Sequence, residues 1–188
     1  NFTVPAGSTL KVGGTLNNPP GNTIISEGDV FVEATGSLVN HGVFLENGYV
    51  YNNRGGNVTN KPTGEFTVSS SARLVNGEFG KLDNEAGAKL KIIGHVYNFH
   101  NGEITNNGTI TIGEEALLDN YANGVVINNN KLISIGKFSN HRNNPSNGDG
   151  RFDNTGTFTN RNDFNNNFNG LVNNSGVWLG ETDLSINR

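Results

Sequence analysis

The chain of 188 residues contains no cysteine and no methionine, a single Trp and 5 Pro, and only 16% of it is charged. Without Cys there is no disulfide framework and no thiolate metal site. Lys and Arg number 13 against 17 Asp and Glu, for a net charge of −4. These charges are scattered, so neither nucleic acid nor an anionic membrane surface is expected as a partner. Apolar residues are scarce as well, at 33%. No apolar run approaches the roughly 20 residues of a spanning helix, which argues against membrane insertion. The opening Asn1-Phe2-Thr3 does not read as a secretory leader, so a secreted chain is expected in processed form.

What the chain has in excess is Asn, at 35 residues, and Gly, at 26. With a mean hydropathy of −0.47, that composition could belong to a disordered low-complexity segment. The placement of the apolar residues decides otherwise. In order they are Val4, Leu10, Leu16, Ile24, Val30, Leu38, Phe44, Val50, Val58, Phe66, Leu74, Leu82, Leu90, Val96, Ile104, Ile110, Leu118, Val126, Leu132 and Phe138, then Phe152, Phe158, Phe164, Val172 and Trp178. Every position is even, and the steps are mostly about 6 or 8 residues. A helix repeats at 3.6 and loses parity; a strand with even residues inward keeps it. Tight two-residue hairpins would switch the inward parity at each turn. Constant parity instead predicts a chain that winds one way, an all-β, β-solenoid (parallel β-helix-like) fold over 1–188.

Two residues after the apolar position there is very often Asn, as in Leu16–Asn18, Leu38–Asn40, Val58–Asn60, Leu74–Asn76, Ile104–Asn106, Leu118–Asn120 and Phe158–Asn160. A Gly commonly follows, as at Gly42, Gly56, Gly80, Gly102 and Gly124. The unit predicts a core ladder that includes Leu16, Leu38, Val58, Leu74, Leu90, Ile104, Leu118, Leu132 and Phe158. It also predicts an Asn ladder at the bends, through Asn18, Asn40, Asn60, Asn76, Asn106, Asn120 and Asn160, whose amides satisfy bend groups or stack from coil to coil. Gly is expected to supply positive φ at the corners. Grouping apolar positions in twos gives flattened coils of about 14–16 residues, and in threes triangular coils of about 20–22; the two-faced grouping is taken first. With strands about 4.8 Å apart, the stacks would be roughly 60 or 40 Å long. The rhythm skips near Pro145, which predicts a loop insertion around 141–150.

The stretch from Phe2 to Asn18, the run Ile104-Thr105-Asn106-Asn107-Gly108-Thr109-Ile110-Thr111 and the run Phe152-Asp153-Asn154-Thr155-Gly156-Thr157-Phe158-Thr159-Asn160 resemble repeats of secreted prokaryotic surface proteins. The likeness is to haemagglutinin-like and autotransporter-passenger β-solenoids and to sheath and extracellular-fibre proteins. It implies an extracellular, cell-surface or cell-envelope location and a stalk, adhesin or envelope role, and it brings no catalytic residue.

The residues offer little for chemistry. His41, His95, His100 and His141 have no Cys and no third ligand beside them and read as surface or bend residues, so no metal and no cofactor is expected. The stretch from Asn147 to Asn154 has the oxygen-rich look of a calcium loop but lacks the closing Glu. The acids are spread thinly along the chain, where a polysaccharide-cleaving solenoid needs two or three converging, so no enzyme is expected. Four N-glycosylation sequons begin at Asn1, Asn57, Asn107 and Asn173. The outward rings Phe31, Tyr49, Tyr51, Tyr97, Phe99 and Tyr121 are candidates for surface contact, with sugar or with a neighbouring subunit. No amphipathic capping helix is seen before Val4 or after Trp178, and alternation continues as far as Leu184 and Ile186. The expectation is a self-assembling homopolymer of a fibre, sheath or surface layer. The alternative is an adhesin or stalk module that grips glycans, and a carbohydrate-active enzyme ranks below both.

Overall fold

A computed structural model describes residues 1–141, 148–167 and 169–180 in full and the backbone of a two-residue strand at 185–186. Residues 142–147 lie outside the described set, as do the side chains of Leu184 and Ile186, so the insertion around Pro145 and the last alternating positions are not treated further.

Strands of almost uniformly four residues are laid down in threes, and each third strand returns to the same sheet. Phe2–Val4, Thr9–Val12 and Thr15–Asn18 make the first coil, and each starts one of three sheets, of nine, nine and eight strands. Every pairing is between successive coils and parallel. The protein is thus a three-faced parallel β-solenoid of about eight turns. At about 4.8 Å per turn the stack is roughly 40 Å long.

A flattened two-faced coil is excluded, because register partners lie 20 to 26 residues apart: 20 from Asn40 to Asn60, 22 from Asn18 to Asn40, 24 from Asn52 to Asn76 and 26 from Asn128 to Asn154. All of these are even, and that is the physical origin of the parity. Strands of four are joined mostly by bends of two residues, such as 41–42, or of four, such as 61–64. No such bend changes which residues face inward. The 26-residue coil is the one that contains 142–147.

Each face lays its first inward residue into one dry core. On the first face the series is Phe44, Phe66, Leu90, Ile110, Leu132 and Phe158; on the second Val50, Leu74, Val96, Leu118 and Phe138; on the third Leu38, Val58, Leu82, Ile104, Val126 and Phe152. All are buried. Of the other members named above, Leu10 and Leu16 near one end and Val172 and Trp178 near the other are only partly buried. The core changes character along its length. Phe44 and Phe66 stack with centroids 4.6 Å apart, whereas Phe138, Phe152, Phe158, Phe164 and Trp178 meet mostly edge to face.

The glycines of the repeated unit do not serve mainly as left-handed corners. In the bends after the second face, positive φ falls on Arg54 and Gly55, Glu78 and Phe79, His100 and Asn101, and Ala122 and Asn123. The following Gly80 and Gly102 are required by close approach. A Cβ there would press into the carbonyl oxygens of Asn52 and Asn76 one coil earlier.

Candidate functional site

The seam where the second face bends into the third gathers most of the polar and aromatic side chains with a role beyond packing. It begins with the last inward residue of each strand on the second face: Val12, Val32, Asn52, Asn76, Asn98, Asn120, Asn140 and Asn166, in register. From Asn52 onward these amides form a continuous hydrogen-bonded ladder. Asn52 Nδ2 donates to Asn76 Oδ1 at 2.7 Å, and the same step repeats from Asn76 to Asn98, Asn120, Asn140 and Asn166 at 2.7–2.8 Å. The second amide hydrogen goes to the backbone carbonyl that opens the next strand one coil on, for example Asn98 Nδ2 to Val125 O at 3.0 Å. Each such Asn therefore ties together two coils and a corner.

The third face carries a parallel ladder through Asn18, Asn40, Asn60, Asn84, Asn106, Asn128, Asn154 and Asn174, with steps of 2.7–2.9 Å. In both ladders the donor always belongs to the earlier coil, so every amide dipole points the same way along the axis. Aligned bonds in a dry interior polarise one another. The ladder on the second face begins with an unmet acceptor: Asn52 Oδ1 is buried without a donor, because Val32 precedes it.

The sequence treats the bend Asn residues as one ladder, and the structure separates them. Asn18, Asn40, Asn60 and Asn106 lie on the third face, and Asn76 and Asn120 on the second. Asn160 belongs to neither: it sits on the first face between Ser134 and Gly180. There its Nδ2 bonds Asn162 O at 3.1 Å and its Oδ1 finds no donor. The first face has local bonds in place of a ladder. Ser26 Oγ donates to Gly28 O, Ser134 Oγ to Gly136 O, and Glu46 Oε1 accepts from Gly48 N at 2.8 Å. Glu46 is fully buried between Ser26 and Val68. Loss of hydration raises its pKa to about 8, with Asp29 and Glu27 adding repulsion and the Gly48 and Ser26 hydrogen bonds opposing the rise. Near neutral pH the folded protein therefore holds Glu46 mainly as the neutral acid.

Outside the ladder of the second face, the residue after each inward position decides what covers the seam. In the fifth, sixth and seventh coils these are Phe99, Tyr121 and His141. Phe99 and Tyr121 stack at 5.3 Å and 8°, Tyr121 and His141 at 5.6 Å and 23°. His141 Nε2 lies 2.9 Å from Asp119 Oδ1. Burial, then Asp119 and Tyr97, push the Tyr121 hydroxyl above its ordinary pKa. The Phe99 ring edge lies against Gly77, where a Cβ would be 3.1 Å from it. In the first four coils the same position holds Gly13, Glu33, Asn53 and Gly77. None of these four residues brings a ring to the seam, although the Phe99 ring edge reaches Gly77, and a cleft of about 670 Å³ opens.

The other outward rings stand on the second face beside this cleft. Phe31 stacks on Tyr51 at 4.6 Å and 15°, and the Tyr51 ring is near-parallel to that of Tyr49 at 5.8 Å and 7°. The Arg73 guanidinium lies 5.6 Å from the centre of the Tyr49 ring. Tyr97 meets His95 edge-on, with a 3.2 Å contact from its hydroxyl to His95 Nδ1. Of the six candidate rings, Phe31 and Tyr51 line the cleft and Phe99 and Tyr121 fill the seam further along. Among the described residues no group of three or more His, Asp or Glu is placed to hold a metal ion.

No family model matches the chain, and no curated protein matches its sequence. Among solved structures it is similar to the TibC-catalysed hyper-glycosylated fragment of TibA that spans residues 55–350 of that protein. The match is at 17% identity over 96% of this chain and 73% of that one, with a TM-score of 0.37.

Proposed function

We propose that the chain is a structural building block of an extracellular fibre, sheath or surface layer, and that copies of it join coil upon coil. The observation that carries this reading is the single direction of the third-face amide ladder, which runs from Asn18 in the first coil to Asn174 in the eighth. A rung that donates forward and accepts from behind can be followed by an identical rung without limit, and the parallel backbone pairing has the same property. Among the described strands, the first and last of each sheet have a neighbour on one side only. Under this reading those edges are continued by further coils, including those of a second copy. A rod held this way is stiff along its axis and needs no metal, disulfide or catalytic step.

Negative-stain microscopy and light scattering across a dilution series test the reading. Filaments, tubes or sheets whose length grows with concentration support it. Monodisperse rods of about 40 Å at every concentration overturn it.

A further inference from the structure

We propose that the open seam of the first four coils is a carbohydrate-binding cleft that takes an internal stretch of a neutral oligosaccharide lying along the rod axis. The cleft exists because the bends differ in length. The first coil turns from the second face to the third with only Gly13 and Gly14, while the next three use 33–36, 53–56 and 77–80. The longer bends contribute Glu33, Ala34, Asn53, Arg54 and Glu78 to the lining of the cleft. The second face contributes the outward rings Phe31 and Tyr51, and the cleft has a volume of about 670 Å³, within the ~300–1,000 Å³ range of small-molecule sites.

The two walls differ in chemistry. One is flat and apolar: Phe31 rests on Tyr51, and the other face of Phe31 looks toward a rung that carries Lys11 in place of a ring. Burial, then Asp29 and Tyr49, raise the Tyr51 pKa, which keeps its hydroxyl neutral. The opposite wall is polar. Arg54 and Glu78 pair at 3.4 Å across adjacent coils with 81% and 49% of their side chains exposed, so both can turn to a ligand. Asn53, which also lines the cleft, has a buried Oδ1 with no hydrogen-bond partner.

A pyranose ring has the matching amphipathicity. Its C–H face suits the free face of Phe31, and its equatorial hydroxyls suit charged donors and acceptors on the other side. The lining charges balance, Lys11 and Arg54 against Glu33 and Glu78, so neither a polyanion nor a polycation is favoured. A groove that follows the axis accommodates a chain passing through, which is why an internal stretch is assigned. The site is independent of rod assembly, and either can fail without the other.

The test is a titration of the full chain, followed by NMR, with neutral hexose and N-acetylhexosamine oligosaccharides of two to six units and with sialylated and sulfated counterparts. At least one neutral oligosaccharide is expected to shift the Phe31, Tyr51 and Arg54 resonances. Phe31→Ala and Arg54→Gly are each expected to weaken it by about tenfold or more, and Tyr97→Ala by less than about twofold. Arg54→Gly guards against misfolding, because position 54 has a positive φ of 58° that Gly adopts freely. The proposal is overturned if no neutral oligosaccharide binds, if only the anionic ones do, or if binding survives both Phe31→Ala and Arg54→Gly.

Discussion

The two halves of one seam make an internal comparison. In the first two coils its interior is Val12 and Val32 and its exterior is open; in the fifth to seventh coils its interior is an amide ladder and its exterior is a stack of rings. The strands follow the same path in both, but the first coil's bend has two residues, Gly13 and Gly14, where those of the second to sixth coils have four. Two residues per coil differ as well, the last inward one and its successor, with Asn52–Asn53 and Asn76–Gly77 as the transition between the two halves. Amides that bond only to one another gain from exclusion of water, since water competes for the same hydrogen bonds. Phe99, Tyr121 and His141 cover the bends at which Asn98, Asn120 and Asn140 are buried. Where the interior is Val, no such cover is needed, and the exterior is free to form a cleft.

The most severe way to break the comparison is to cut the ladder in its covered half. Asn98→Ala removes two donated bonds and one accepted, leaving Asn120 Oδ1 without its donor and one Asn76 amide hydrogen without its acceptor. It should cost about 4–6 kcal/mol in urea unfolding, the range expected when several buried partners are orphaned at once. Next comes the face without a ladder. The pKa of Glu46 is raised from 4.5 to about 8, so between those values the folded state binds more protons than the unfolded one. Stability should then fall as pH rises from about 4.5 to about 8 and level off beyond, by about 3–5 kcal/mol in total. Glu46→Gln should flatten that profile in melts taken across the pH range.

Smaller effects sharpen the comparison. Tyr121→Ala opens the middle of the ring stack and should cost about 2–3 kcal/mol, with faster hydrogen exchange of the Asn98 and Asn120 side-chain amides. Tyr51→Ala, beside the open cleft, should cost less than half of that. The smallest effect is the most discriminating. Val32→Asn puts an amide directly before Asn52, whose Oδ1 lacks a donor, and should change stability by no more than about 1 kcal/mol. Val68→Asn on the first face, between Glu46 and Ile92, meets no ladder and should cost about 3 kcal/mol.

Much of the fold was legible because four-residue strands and even-length bends write themselves directly into residue parity. The number of faces was not. All three faces open with the same apolar residue, and two of them close with the same Asn, so a step of 6 or 8 residues does not say whether the second or the third strand returns home. Asn160 follows Phe158 just as Asn120 follows Leu118, and only register shows that its neighbours are Ser134 and Gly180. Two signals were there to be found. The spacing of Phe99, Tyr121 and His141, 22 and then 20 residues, matches the coil offsets. Glu46 is an acid at an even, inward position, against the grain of its neighbours. The cleft had no signature of its own, since it arises from a short bend beside longer ones.

The three-faced coil itself is tested most directly by cross-linking, which the absence of native Cys makes clean. Thr105 and Ile127 are register partners on the outer surface of the third face, so their Cα atoms should be within the roughly 4.4–6.8 Å that a disulfide spans. Thr105→Cys with Ile127→Cys should oxidise to an intramolecular disulfide in the folded protein, seen as a mass loss of two hydrogens and a gel shift on reduction. Thr105→Cys with Asp119→Cys, the pair a two-faced coil would bring together, should not. A cross-link in the second pair, or none in the first, would contradict the account.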